Sequence, residues 1–416
     1  MNGFFTKQET QSASRPDGKV YSCASCGMYR FVLSPRMKPY GSYKQRIMVV
    51  GEAPGEDEDR RGKPWQGKAG RALQNAYRKH GIDLFQDCIS INAVLCRPID
   101  EKGNNRTPTN QEIASCRPQL LKAISIYKPN LILLHGGTAV TSLIGHRWKH
   151  DMGGIMKWRG WTIPDREFNA WLCPTFHPSF IERQQAFEEV ETIWHQDLAR
   201  ALALVDTPLP VYPQEEECVM IGARALPVLE LLERELEAAI AKGRRPWLSF
   251  DLETTGLKPY NTEVHRIACI SFCISEDRAF SVPPPESKQE LALFRKLMTD
   301  ERVGKVAANM KFEDTWLKVL YGIDVHPWAW DTMLAGHVLD NRPGICGLKF
   351  QSYVNFGLMG YEDEVSPYLR SSDSNTPNRI MSCMLDPVLR RKVMTYNGID
   401  SLMTYRLALK QQGALS

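Results

Sequence analysis

The chain has 416 residues, 52 Lys and Arg against 48 Asp and Glu, a formal net charge of +4 and 43% hydrophobic residues, enough for two or three domains that each bury a core. No stretch is apolar enough for a membrane span, and the N-terminal MNGFFTKQET lacks a basic segment followed by an apolar run, which speaks against membrane and secreted classes. In the cytoplasmic compartment expected from this, the 11 cysteines read as thiols and metal ligands, not as a disulfide framework.

Charge is unevenly spread. Residues up to Val205 hold 28 basic and 20 acidic side chains and the rest hold 24 and 28, so the two halves carry +8 and −4. A basic half suits a polyanion, and an acidic half suits metal-binding carboxylates.

In chain order, Cys23 and Cys26 form a C-x-x-C pair, while Cys96 and Cys116 each open a Cys-Arg-Pro tripeptide. A tight pair followed by two isolated cysteines suits a four-thiolate centre closed by the fold, with an iron–sulfur cluster favoured over zinc. Four buried core cysteines are the alternative. Apolar runs at 47–50, 89–95, 131–134 and 171–173 alternate with helical patterns, as in an α/β sheet covered by helices. A helix starts after Thr109, with Glu112 completing a capping box. Its apolar positions Ile113, Cys116, Leu120 and Ile124 turn Cys116 inward, and Pro118 is expected to disturb its first turns. Phe187, Val190, Trp194, Leu198, Ala201 and Leu202 mark a last helix. Residues 206–218, rich in proline and glutamate, then read as a linker. Beyond it, a helix over 226–243, the strand-like WLSFDLET and HRIACISFCI, and a mostly helical end form a second α/β unit. The expected domains are 1–205 and 219–416.

The first domain contains GEAPGEDED after a buried strand, KPWQGKAG opening a helix, INAVLCRP around Asn92, the second Cys-Arg-Pro, and HPS within TFHPS. Together these resemble the iron–sulfur uracil-DNA glycosylases, often called family four, from about Cys23 to Val205. The resemblance implies a parallel-sheet sandwich, a 4Fe-4S cluster on Cys23, Cys26, Cys96 and Cys116, and a pocket for a base extruded from DNA. There Gly51 lets the backbone approach uracil, and Trp65, usually Phe in the family, stacks on it. Asn92 matches uracil N3–H and O4, Glu58 crowds C5 against a thymine methyl, and His177 donates to the charge growing on O2. Glu52 orients water or the sugar. Phe180 and Ile181 stand where the family wedges into DNA, Arg183 binds phosphate, and Lys157 and Arg159 lie in a basic loop. Ala53 stands where other glycosylase families place Asp. The stretch between Cys96 and Cys116 includes EKGNNR but lacks the basic insertion of suicide-type uracil-binding relatives, which implies turnover.

In the second domain Asp251 and Glu253 lie two apart on a strand and share a face, and Tyr396 and Asp400 lie four apart on a helix and share another. With NMKFED at 309–314, they resemble DnaQ-like 3′–5′ exonucleases, especially the proofreading domain of A-family DNA polymerases, over 247–409. WDTMLAGHVLD and GLKFQSYV fit the same pattern. The resemblance implies an RNase H-like, DEDD-type fold with two divalent ions, magnesium or manganese, roughly 3.5–4 Å apart. Asp251, Glu253, Glu313 and Asp400 are the expected ligands, Tyr396 orients the attacking water, and Asn309 positions backbone or the DNA end. Asp314 stays open as an alternative to Glu313, because the family usually has Asp directly after the motif's aromatic residue.

The two resemblances together imply a DNA repair and replication enzyme that excises uracil and trims 3′ ends in a bacterial or phage-infected cell. It is either the front part of a polymerase chain or a stand-alone fusion. Its partner is DNA, uracil-containing, single-stranded or at 3′ ends, with a polymerase domain or subunit as a second partner and no membrane. The alternative is a non-cleaving uracil- or template-binding module that guides a proofreading exonuclease and polymerase.

Overall fold

The computed structural model describes residues 13–14, 20–184, 188–373 and 375–416. The polypeptide divides into two compact units, Met1–Pro210 with Val354–Gly357, and Val211–Tyr353 with Leu358–Ser416. The division falls inside the stretch read as a linker, and the end of that stretch is folded. Glu215–Cys218 is a helical turn in which Glu215 meets Arg406 at 2.9 Å, both side chains almost completely buried. One carboxylate of the acidic run is therefore taken from solvent by a buried cation, and it can stay there only because it is paired.

In the first unit β1 (Ile47–Gly51), β2 (Cys88–Asn92), β3 (Leu131–His135), β4 (Ile163–Asp165) and β5 (Ala170–Thr175) form one sheet in the order β2-β1-β3-β5-β4. All pairings are parallel except β4 against β5. Every residue of β1, β2 and β3 is buried, the pattern of strands covered on both faces. Ile47, Val49, Leu131 and Leu133 pack with Leu73, Tyr77, Trp194 and Leu198 from the helices. The helices that bear on function are α1 (Glu56–Arg61), α2 (Lys68–Arg78), α3 (Asn110–Tyr127) and α4 (Pro178–Arg183). Thr109 caps α3 in a reciprocal box with Glu112. Pro118 lies inside α3, which runs on through it for 18 residues. The proline forfeits one backbone bond, while buried Ile113, Ala114, Leu120, Ala123 and Ile124 hold the helix on both sides of it. A further helix spans Glu188–Leu202; Phe187 lies outside the described residues.

Among the described residues of the second unit, β6 (Val219–Ile221), β7 (Trp247–Thr254), β8 (Ile267–Ser275), β9 (Arg278–Val282), β10 (Gly304–Ala307) and β11 (Trp328–Asp331) form a six-stranded sheet. Their order is β11-β10-β7-β8-β9-β6. β7, β8 and β9 form an antiparallel meander, and β10, β11 and β6 join in parallel. Phe250, Ile270, Phe272, Phe280, Phe294 and Trp316 anchor its core. The helices that bear on its acidic site include α5 (Met310–Tyr321) and the 29-residue α6 (Pro387–Leu415). Both units are thus α/β. Among the described residues no helix is long and apolar enough to cross a membrane.

Candidate active sites

Parallel strands end on one edge, and in open α/β sheets that edge is where ligands bind. Here β1 ends at Gly51 directly beside Asn92, the last residue of β2. A cleft of ≈ 700 Å³ opens there, lined among others by Glu52, Glu58, Trp65, Asn92, His177, Phe180 and Arg183. Gly51 has a steric reason to be glycine: a Cβ would lie 2.3 Å from Asn92 Oδ1 and 2.8 Å from the Trp65 ring. Trp65 itself adopts φ +60°, a conformation that bulky residues avoid. Two features hold it. The Glu58 carboxylate accepts from the backbone N–H groups of Gly55, Gln66 and Gly67 at 3.1, 3.0 and 3.0 Å, and Gln74 donates to the Trp65 carbonyl at 3.2 Å.

The Trp65 ring lies 5.5 Å from His177 and 5.8 Å, edge-on, from His135. His177 caps α4, and its Nδ1 accepts from the Ser179 backbone N–H at 3.2 Å. A backbone N–H can only donate, so in the neutral ring the proton sits on Nε2. Burial, then the neighbouring His135 and Arg183, push the His177 pKa down to about 3, which keeps the ring neutral at pH 7. His135, unread in the sequence, is fully buried between Tyr77 Oη at 3.1 Å and the Phe176 carbonyl at 3.3 Å. Glu52 Oε2 accepts from Thr138 Oγ1 at 2.8 Å.

Three expected DNA contacts face inward. Ile181 is 8% exposed and packs in the core under α4, because the turn after HPS is helical and not an open wedge. Lys157 is buried and donates to the Asp151 carbonyl at 2.7 Å. Arg159 makes a two-pronged pair with Asp197, both bonds 3.0 Å. Their charges are thus taken up inside the fold. Phe180 packs on Phe176 at 4.9 Å and, with Arg183, remains on the cleft wall.

The four thiols come from three segments: the Cys23–Cys26 turn capped by Ser22, the loop after β2, and α3. The charge of Cys96 is felt by Cys116, and those of Cys23 and Cys26 by both. Burial pushes the Cys96 thiol up to about 11 and that of Cys116 higher still. Cys96 is buried and Cys23, Cys26 and Cys116 are partly buried; thiols that prefer to stay protonated lose their protons only to a compensating cation, and an all-sulfur donor set suits zinc or an iron–sulfur cluster. The residues fit such a centre.

In the second unit Asp251 and Glu253 from β7 meet Asp400 from α6, with one carboxylate oxygen of each within 4.8 Å of the others. Burial and then the charge of Asp400 push Asp251 up to about 7. Glu253 and Glu313 are also raised, in both cases first by burial and then by Asp251. Glu313 is 3% exposed, and its Oε2 has no hydrogen-bond partner. Crowded buried carboxylates with an orphaned oxygen fit hard divalent cations. Asp314 instead accepts from the Val325 N–H at 3.0 Å and secures the turn after α5.

Partial compensation comes from groups that sequence reading missed. Lys349 forms an ion pair with Asp400 and lies 4.2 Å from the centre of the Tyr396 ring and 4.3 Å from that of Tyr361. Tyr361 Oη donates to Asp400 Oδ1 at 2.6 Å, and Asn397 Nδ2 donates to Asp251 Oδ2 at 2.9 Å. Lys349 stood in the quoted GLKFQSYV segment, and a lysine among apolar helical residues was its signal. Tyr361, like His135 and Thr138, carried none. Asn309 opens α5 with φ +73°, and its backbone N–H donates to Asp331 Oδ1 at 3.2 Å.

The uracil DNA glycosylase superfamily matches residues 38–198, and a 3′–5′ exonuclease family matches residues 231–410. A type-4 uracil-DNA glycosylase of Thermotoga maritima is 37% identical over 165 residues, 40% of this chain and 80% of its own. The chain belongs to the type-4 uracil-DNA glycosylase family through its first unit and carries a 3′–5′ exonuclease domain in its second. A DNA polymerase of Bacillus phage SP01 is 26% identical over 358 residues, 79% of this chain but 36% of that polymerase. Among solved structures, Brucella melitensis NrnC with bound Mg2+ aligns with a TM-score of 0.31 at 20% identity, covering 41% of this chain and 73% of its own. Both domains are of hydrolytic enzyme families.

Proposed function

We propose that the first unit hydrolyses the N-glycosidic bond of deoxyuridine in DNA and that the second trims DNA 3′ ends. The observation that carries the first half is the convergence of Gly51, Trp65 and Asn92 with a neutral His177 whose single ring proton is on Nε2. An extruded uracil stacks on Trp65, at about 1–3 kcal/mol for such a contact. The Asn92 amide offers both an acceptor and a donor, matching uracil N3–H and O4 and mismatching cytosine. As the C1′–N1 bond breaks, the electron pair moves into the ring, and His177 Nε2–H donates to the growing charge on O2. Glu52, held by Thr138, orients the water or sugar, and Glu58 forms the fixed wall beside uracil C5. Arg183 meets a flanking phosphate.

Cys23, Cys26, Cys96 and Cys116 would hold a 4Fe-4S cluster, which would tie together the three segments that carry them. In the second unit Asp251, Glu253, Glu313 and Asp400 would hold divalent ions, which would supply an activated water and stabilise the departing 3′ oxygen. Tyr396 orients that water, and Asn309 sets the DNA end. The chain works in the cytoplasm on uracil-containing DNA, beside a polymerase domain or subunit.

Oligonucleotides bearing one uracil, single- and double-stranded, test the first half. Alkali-labile sites should accumulate with the cluster-loaded protein and vanish with Asn92→Ala. Uracil-dependent retention without base release would point to a binding module instead.

A further inference from the structure

The segment between the Cys-x-x-Cys pair and β1 brings a cation onto two of the four sulfurs. Arg36 donates its backbone N–H to Cys96 Sγ at 3.3 Å and its side-chain Nε–H to Cys23 Sγ at 3.1 Å. It does so from φ +55°, a left-handed conformation uncommon outside glycine. Its guanidinium lies 4.8 Å from the centre of the Tyr29 ring. The next residue, Met37, fastens the segment by donating its N–H to the Leu95 carbonyl at 2.8 Å, immediately before Cys96. A strained backbone and a stacked side chain, both directed at sulfur, form a built contact between two thiols that are distant in sequence.

We propose that Arg36 is a positioning residue of the thiol centre, which fixes Cys23 relative to Cys96 and raises the reduction potential of the iron–sulfur cluster. This rests on reading the cysteine quartet as a cluster site. N–H···S bonds and a fixed positive charge withdraw electron density from thiolates, so they favour whichever oxidation state carries more negative charge. Reduction adds one electron to the cluster, and Arg36 therefore stabilises the reduced form. The same two bonds hold the loop closed over the sulfurs and slow cluster loss.

The test uses the full chain, loaded and purified without oxygen, as wild type, Arg36→Met and Arg36→Lys. Iron and sulfide content and the visible spectrum are recorded first, followed by the reduction potential and the rate of bleaching in air. Arg36→Met should shift the reduction equilibrium about tenfold toward the oxidised cluster, 59 mV for a one-electron couple, and bleach faster. Arg36→Lys keeps the charge without the fixed Nε direction and should fall between them. Should Arg36→Met not fold, Arg36→Lys alone carries the comparison. A loaded variant with the wild-type potential and bleaching rate overturns the role of Arg36 and leaves the cluster reading intact. A wild-type chain with iron and sulfide absent and no visible absorption overturns both.

Discussion

His177 concentrates the proposed chemistry of the first unit in one proton. Its Nδ1 is occupied by the Ser179 N–H, so Nε2–H is the donor, and Ala in its place should lower kcat for uracil release by about 10²–10³-fold, as for other single donors to a developing anion. The pH dependence has a definite sign. An unfolded histidine titrates near 6.5, whereas burial and then His135 and Arg183 depress this one to about 3. Its contribution to stability is therefore complete above about pH 6.5 and is lost as the pH falls toward 3. Between pH 5 and 8 the ring stays neutral, and the rate of uracil release should show no inflection from it. An inflection near 6.5 that disappears in His177→Asn would contradict this. Gly51→Ala should abolish uracil release while cluster absorbance is retained, because its Cβ would meet Asn92 and Trp65 at 2.3 and 2.8 Å.

At the scale of elements, the turn from β1 to α2 is held by the Glu58 carboxylate and not by propensity, since Trp65 stands in a left-handed conformation. Glu58→Gln keeps the shape but loses the charge-assisted bonds, each worth about 1.5–3 kcal/mol. Thermal unfolding of the first unit should fall, and discrimination against thymine should weaken with it. The start of α5 makes a separate case. Glu313 is buried against the acidic cluster, whereas Asp314 holds the Val325 N–H. Glu313→Gln should remove 3′-end trimming, and Asp314→Asn should keep it at a stability cost of roughly 1 kcal/mol. The reverse ranking of the two rates would assign the ligand to Asp314.

Across the whole molecule, what could be read from the sequence followed the range of the interaction. The ends of β1 and β2, the α3 capping box and the Asp251–Glu253 pair are encoded within a few residues, so strand period and spacing revealed them. The inward turn of Lys157 and Arg159 could not be read that way. The partner of Arg159, Asp197, lies 38 positions away and is set by tertiary packing, Lys157 turns back onto the Asp151 carbonyl of its own loop, and a basic loop looks the same in sequence whether its charges face DNA or the interior. The same holds for Glu215 and Arg406, 191 positions apart, and for the Lys349 and Tyr361 contacts to Asp400. The acidic cluster also gives a prediction for the whole second unit. Burial and then Asp400 raise Asp251 to about 7 from an unfolded value near 3.9. Its contribution to stability is full below about pH 3.9 and is lost as the pH rises through 7. A divalent cation binds the ionised form, so the gain in melting temperature from magnesium should be small at pH 5 and grow toward pH 8, as calorimetry can record.

On the proposed reading one chain carries two separate hydrolytic sites, each composed of residues of a single unit. One 5′-labelled oligonucleotide with an internal uracil, incubated with cluster-loaded wild type, His177→Ala and Asp251→Ala in magnesium, tests it directly. Wild type should yield both alkali-labile sites and a ladder of shortened 3′ ends. His177→Ala should keep the ladder while its alkali-labile sites fall about 10²–10³-fold, and Asp251→Ala should keep the sites and lose the ladder. A variant that loses both activities while remaining folded, or a wild-type protein that makes neither product, would contradict the account.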